Sequence, residues 1–253
     1  MKAIKILMMA GALAVATPAF AQFSNTSATG THSNAGSTMI KDCSPYNRIT
    51  LSYDNWKSSK EMFYDDADAT NGFAIDYIHG FSVSKTLPIF VETGIGANFG
   101  FWGDTNDESY SVADLKYRFT QISMAIPVNV AYKFNINENF SIQPYLGLNF
   151  KFNLYANLNS KFDCEDSELQ DDIDDLSDDD FEETFGFPRN MSMFDKDYLG
   201  KDGQWKRFQL GWHVGVGVNI KALYIGLSYG TDFMPICKKH NTSNFKVGLG
   251  FNF

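Results

Sequence analysis

The chain has 253 residues, of which 15% are aromatic and 20 are Gly, and a formal charge of −9. That acidic balance argues against nucleic acid as a partner, because phosphate binding needs basic patches. Beyond the first 21 residues there is no run of 18 or more apolar residues, so no membrane-spanning helix is available.

Met1 to Ala21 reads as a signal peptide. Lys2 and Lys5 precede an apolar stretch from Ile6 to Ala16, and Ala19-Phe-Ala21 stands before Gln22. The apolar part is too short to be a membrane anchor. Its removal takes away two Lys and no acid, so the charge moves from −9 to −11. No Cys stands at the cleavage point, so lipidation is not indicated. Residues 22–47 are rich in Ser, Thr, Asn and Gly and are expected to form a flexible extension, because they cannot bury enough apolar surface to order themselves.

From Arg48 onward, apolar and polar residues alternate in eight segments. Period two is a strand signal, since successive side chains leave opposite faces. The first segment is about 48–54, with Ile49, Leu51 and Tyr53 on one face, and the second about 72–84, with Phe73, Ile75, Tyr77 and Phe81. The third is about 88–102, with Ile95, Phe99 and Phe101 outward and Glu92, Gly94, Gly96 and Asn98 opposite. The fourth, 115–134, carries Ile122 to Phe134 in phase, and the fifth, 140–154, carries Ile142 to Leu154. In the sixth, Phe208 to Ile220 alternates with a Gly-rich polar face, and Leu223 to Tyr229 marks the seventh. The eighth, Asn244 to Phe253, places Phe245, Val247, Leu249, Phe251 and Phe253 on one side.

Connections near 84–87, 135–139 and 221–222 are short, whereas 55–71, 103–114, 155–207 and 232–243 are long. Strict alternation of short and long connections, with an apolar face that needs lipid, predicts an all-β fold. It is an eight-stranded antiparallel up-and-down transmembrane β-barrel over 48–253, with short periplasmic turns and long extracellular loops.

Ile126-Pro-Val-Asn-Val-Ala-Tyr132, Gln143-Pro-Tyr-Leu-Gly147, Leu223-Tyr-Ile-Gly-Leu-Ser-Tyr-Gly230 and Val247-Gly-Leu-Gly-Phe-Asn-Phe253 carry a family resemblance. The chain resembles the OmpA-like and PorT-like outer-membrane β-barrel domain proteins of Gram-negative bacteria. The resemblance implies residence in the outer membrane among lipopolysaccharide. It also implies a final aromatic strand read by the barrel-assembly machinery, and no catalytic residues to carry over.

An eight-stranded barrel is just wide enough for side chains to fill its interior. Asp76, Glu92, Lys133, Lys151 and Lys246 are expected to point inward and to pair, with Glu92 and Lys133 on neighbouring strands as the first candidate ion pair. Lys116 and Arg118, at the extracellular end of the fourth strand, are expected to face lipid, where they are candidates for contact with lipid A phosphates. The long loop 155–207 includes 13 carboxylates between Asp163 and Glu183. It lacks the Gly and the spacing of an EF-hand, so the expectation is a solvated surface segment. Ser167 with Gln170 resembles a capping box, and Leu169, Ile173 and Leu176 share a helical face, so a short helix that projects outward or meets a basic partner is a second reading. Cys164 and Cys237 fall in extracellular loops and are the candidate disulfide, leaving Cys43 free or paired between molecules. His213 is expected in the lumen, and His79, in the lipid-facing phase, is expected to mark a bulge near Gly80.

The sequence thus predicts a non-enzymatic envelope protein with a structural or surface-interaction role and no cofactor or metal. A PorT-like secretion component or a narrow solute channel is the alternative, and a lipid-modifying enzyme is a third reading for which no Ser–His–acid group can be assembled.

Overall fold

A computed structural model gives the fold, and residues 42–58, 69–105 and 113–253 are described. The expected signal peptide (1–21) and residues 22–41 of the expected extension lie outside the described residues. Among the described residues ten strands form one sheet: β1 Tyr46–Ser58, β2 Thr70–Ser82, β3 Ile89–Thr105, β4 Ala113–Tyr132, β5 Phe134–Asn137, β6 Phe140–Cys164, β7 Asn190–Ser192, β8 Phe208–Ile220, β9 Leu223–Asp232 and β10 Thr242–Asn252. Every pairing is antiparallel. Neighbours run β4-β3-β2-β1-β10-β9-β8-β6, and β6 pairs again with β4, so eight long strands close a ring. Closure removes the edge that would otherwise leave backbone groups unpaired in lipid.

The outward face is the apolar one throughout the ring. Ile49, Ile75, Ile95, Val130, Leu146, Val214, Leu227 and Phe245 are all exposed on it. On β4 the outward series Ile122 to Tyr132 spans ten residue steps, roughly 33 Å of strand. At a tilt near 40° that becomes an apolar belt of about 25 Å, the height of a lipid-facing band.

Three connections are tight and lie at one end: 83–88, the turn between β5 and β6 at Glu138–Asn139, and Lys221–Ala222. The second differs from the expected turn at 135–139. Asn135 and Asn137 continue the ladder against Ser141 and Phe140, leaving a two-residue turn. No bulge occurs at Gly80. His79 pairs in unbroken register with Thr93, stays outward beside Phe81, and meets Asn47 Oδ1 through Nδ1 at 2.7 Å.

A bulge does occur on β6. Ile122 faces Tyr155 while Ser123 faces Asn153, so Leu154 is an extra residue. The insertion flips the phase. Below it the even-numbered residues of β6 point outward; above it Ala156 and Leu158 point inward and are buried. β4 and β6 then continue together to Ala113 and Cys164, well past the apolar belt. Residues 155–164, expected to be loop, are therefore strand.

Three short helices fill most of the remaining long connection: α1 Ser167–Asp174, α2 Asp178–Phe185 and α3 Lys196–Gly203. Each begins on a capping side chain, Asp166, Ser177 and Asp195, that accepts a first-turn N–H. The cap of α1 is one residue earlier than the expected Ser167. α2 ends on Gly186 at φ 77°, a left-handed position that suits Gly.

Candidate functional site

The interior is arranged in layers. At the short-turn end, Glu92 is fully buried and takes four donors. Arg48 Nη2 reaches its Oε1 at 2.7 Å, Asn129 Nδ2 its Oε2 at 3.0 Å and Gln143 Nε2 its Oε1 at 3.0 Å, while the Tyr46 hydroxyl donates as well. The Arg48 guanidinium lies 3.9 Å from the centre of the Tyr224 ring. Gly217 and Gly226, opposite each other on β8 and β9, make room for that ring, since a Cβ at either would collide with it. The Gly-rich inner wall is thus a seat for large polar rings.

Above this layer, His213 Nε2 meets Asn129 Oδ1 at 2.7 Å. Lys246 donates to Asn98 at 2.7 Å and lies 3.6 Å from Asp54. Lys151 pairs with Asp232 at 3.0 Å, and Gln209 donates to the same carboxylate at 3.0 Å and accepts from Asn153 at 2.9 Å. A cavity of about 100 Å³ between the layers is lined by Arg48, Asp76, Tyr145, His213 and Lys246.

The long-loop end is roofed by apolar side chains. Trp102, Phe119, Ala156, Leu158, Met193, Trp205, Ile236 and Cys237 form one buried cluster, with Trp56 packed against it. Trp205 stands 5.3 Å from Phe119 and 6.0 Å from Trp56, ring centre to ring centre. β4 explains why: beyond Ile122 its inward residues become Phe119 and Leu115, both buried, while Arg118 and Lys116 point outward. The chain keeps its alternation but inverts its polarity where lipid gives way to water.

Outside the roof stands the acidic segment. Phe162 on β6 packs against Phe185 at 4.5 Å and Phe181 at 6.0 Å, and Phe181 is buried. Arg189 Nη2 donates to the carbonyls of Ile173 at 2.9 Å and Leu176 at 3.3 Å, just at the end of α1, and its guanidinium lies 4.7 Å from the Phe181 ring centre. It closes the helix terminus with the sign of charge that the dipole favours. Most carboxylates of α1 and α2 are exposed, and Asp178 lies 3.9 Å from Arg189. Among the described residues, no group of three or more His, Cys, Asp or Glu converges as a metal site.

Two of the expected pairings are corrected. Glu92 pairs with Arg48, not Lys133. Lys133 lies past the end of β4 and reaches Asp42 at 2.6 Å. Burial opposes ionisation of Asp42, but its bond to Lys133 and that residue's charge outweigh this and hold the carboxyl below its usual range. Cys164 and Cys237 are both free thiols, as is Cys43. Cys237 is buried in the roof cluster that includes Leu158, whereas Cys164 ends β6 six residues, or about 20 Å of strand, beyond Leu158. Burial also pushes the Cys237 thiol above its usual range. Lys116 and Arg118 are outward and exposed as expected; Lys116 faces Lys161 across the ladder and pairs with Asp163.

Sequence reasoning missed Arg48, although the outward phase of Ile49 already turned it inward. It also missed a Ser–His contact, Ser58 Oγ to His240 Nδ1 at 3.4 Å.

Residues 20–237 match the family described as outer membrane protein beta-barrel domain. Among solved structures, the chain is similar to Ail, the attachment invasion locus protein of Yersinia pestis, at 15% identity over 83% of this chain and 97% of that one, with a TM-score of 0.36. It is similar to Neisserial surface protein A at 13% identity over 82% and 95%, with a TM-score of 0.39. It is also similar to the outer membrane enzyme PagL, at 6% identity over 81% and 98%, with a TM-score of 0.40. Comparison with curated proteins gives no match.

Proposed function

Because the chain belongs to the outer membrane protein β-barrel domain family, and so to the bacterial outer membrane, we propose that it is a plugged, non-enzymatic barrel that displays an acidic helical hairpin to a cationic partner at the cell surface. One observation carries the reading. The α1–α2 hairpin is held by the Phe162 cluster and Arg189 on strands that rise past the apolar belt, above a mouth roofed by Trp205 and Phe119. Its clustered carboxylates set up a field that attracts cations and repels anionic lipopolysaccharide. Arg118, by contrast, sits on the outer wall, where phosphates of the surrounding lipid are its match, while Lys116 is paired with Asp163. The C-terminal strand β10 presents the alternating aromatic face that barrel-assembly machinery reads.

The test is two-armed. In planar bilayers the purified protein should give no stable conductance steps. In vesicles it should bind a cationic peptide such as oligolysine with an affinity that falls steeply as salt rises, and charge-neutralised hairpin variants should not. Stable conductance would favour the narrow channel, and stable co-purification with envelope proteins would favour the secretion component. The Ser58–His240 contact is the observation behind an enzymatic reading. Among the described residues no carboxylate is bonded to the other ring nitrogen of His240, and altered lipid A on overexpression would be needed to advance it.

A further inference from the structure

A second polar cavity, of about 160 Å³, opens at the periplasmic mouth beneath the Tyr46–Glu92–Gln143 layer. Asn135 of β5 lines it with 8% of its surface exposed, and its Nδ2 is buried without a hydrogen-bond partner. Asn252 of β10 lines the same cavity. Its Nδ2 donates to Asn219 Oδ1 at 2.8 Å, but its Oδ1 is buried without a donor. Leaving either atom unpaired costs on the order of a full hydrogen bond, and buried polar atoms in native proteins are nearly always satisfied. Two residues in the lining of one cavity therefore carry an unused donor and an unused acceptor.

The rim charges balance. Lys133 is matched by Asp42, and Lys221 and Glu138 are the other cation and anion of the lining. A neutral group is favoured over an ion. A secondary amide supplies both missing partners, its carbonyl accepting and its N–H donating, and a cavity of this size has room for one such group.

We propose that the periplasmic mouth is a binding site for a secondary amide group, held by Asn135 and Asn252. This site is independent of the surface hairpin and survives if that role fails. The same chemistry reaches the periplasmic face from two sources, the acetamido group of a cell-wall sugar and the backbone of a peptide.

The test is a titration of the whole protein in lipid nanodiscs, read by the side-chain amide NMR signals of Asn135 and Asn252. N-acetylglucosamine and N-acetyl-L-alanine methylamide are the two probes, and glucose and methyl acetate, which lack the N–H, are the controls. A saturable shift of both Asn signals with one or both probes, and not with the controls, is the expected result. The stronger probe then names the source. Asn135→Leu should weaken that probe roughly fivefold, the worth of one neutral hydrogen bond. No saturable shift up to the solubility of either probe overturns the proposal, since ordered water then satisfies both amides. An equal response to glucose or methyl acetate overturns it too. The wild-type titration is decisive even where the Leu variant fails to fold.

Discussion

A carboxylate with no solvent exposure can stay ionised only if its neighbours replace water, and around Glu92 four donors do so. Removing one member of such a buried pair strands the other, at a cost of about 3–5 kcal/mol. Glu92→Gln should therefore lower the unfolding free energy in lipid vesicles by about that amount. Lys133→Gln should change it by about 0.5 kcal/mol or less, because its partner Asp42 is exposed to water. Equal effects would restore the pairing that the sequence suggested. Asp42 adds a pH dependence whose sign is fixed. Its folded carboxyl titrates below the ordinary value, so its contribution is complete above that value and fades as pH falls through the lower, folded one. A spin label on Cys43 should keep its mobility between about pH 8 and 5 and loosen only in more acid solution, below the ordinary Asp value near pH 3.9. Loosening already near pH 6 would show that Asp42 does not hold this segment.

At the scale of elements, the hairpin depends on a residue outside it. Arg189 binds the Ile173 carbonyl in the last turn of α1 and the Leu176 carbonyl just past its end, and covers Phe181 of α2, so Arg189→Ala should free both helices while leaving the barrel intact. Loss of about 1–2 kcal/mol of local stability is expected, seen as a roughly tenfold faster amide exchange in α1 and α2 with unchanged exchange in β8 and β9. Unchanged exchange throughout would mean that the phenylalanine cluster alone holds the helices. The strands were legible because lipid enforces alternation over many residues. The helices were less so: five of the eight residues of α2 are acids, and its signals are a Ser177 cap, a Gly186 stop and only two apolar residues one turn apart, Phe181 and Phe185. The bulge left its mark as adjacent Leu154 and Tyr155, a break in phase that ended the predicted strand although the chain continued to Cys164. The lumen was legible by face and not by partner. Arg48 on β1 reaches Glu92 on β3 across an intervening strand, and alternation carries no information about reach.

Across the whole molecule, the inversion of polarity on β4 locates the boundary between lipid and water. Ile122 is the outward apolar residue of that strand nearest the long-loop end, and Arg118 and Lys116 stand four and six residues earlier in the chain, farther from the belt. At about 3.3 Å per residue and a tilt near 40°, they stand roughly 10 and 15 Å above the belt. The headgroup region is thinner than that, so only a long side chain folded back toward the membrane reaches phosphate. Lys116 is held instead by Asp163 on β6, whereas no ion pair engages Arg118 among the described residues. The two cations that the sequence treated as equivalent therefore have different tasks. Arg118→Gln should reduce the lipopolysaccharide that co-purifies with the protein by about fivefold, the effect of about 1 kcal/mol for one cation near an anionic surface. Lys116→Gln should change it little and should instead loosen Asp163 at the base of the hairpin. The reverse ranking would mean that the Lys116–Asp163 pair opens in the membrane. Equal retention by both variants would show that lipid phosphates are bound elsewhere on the wall.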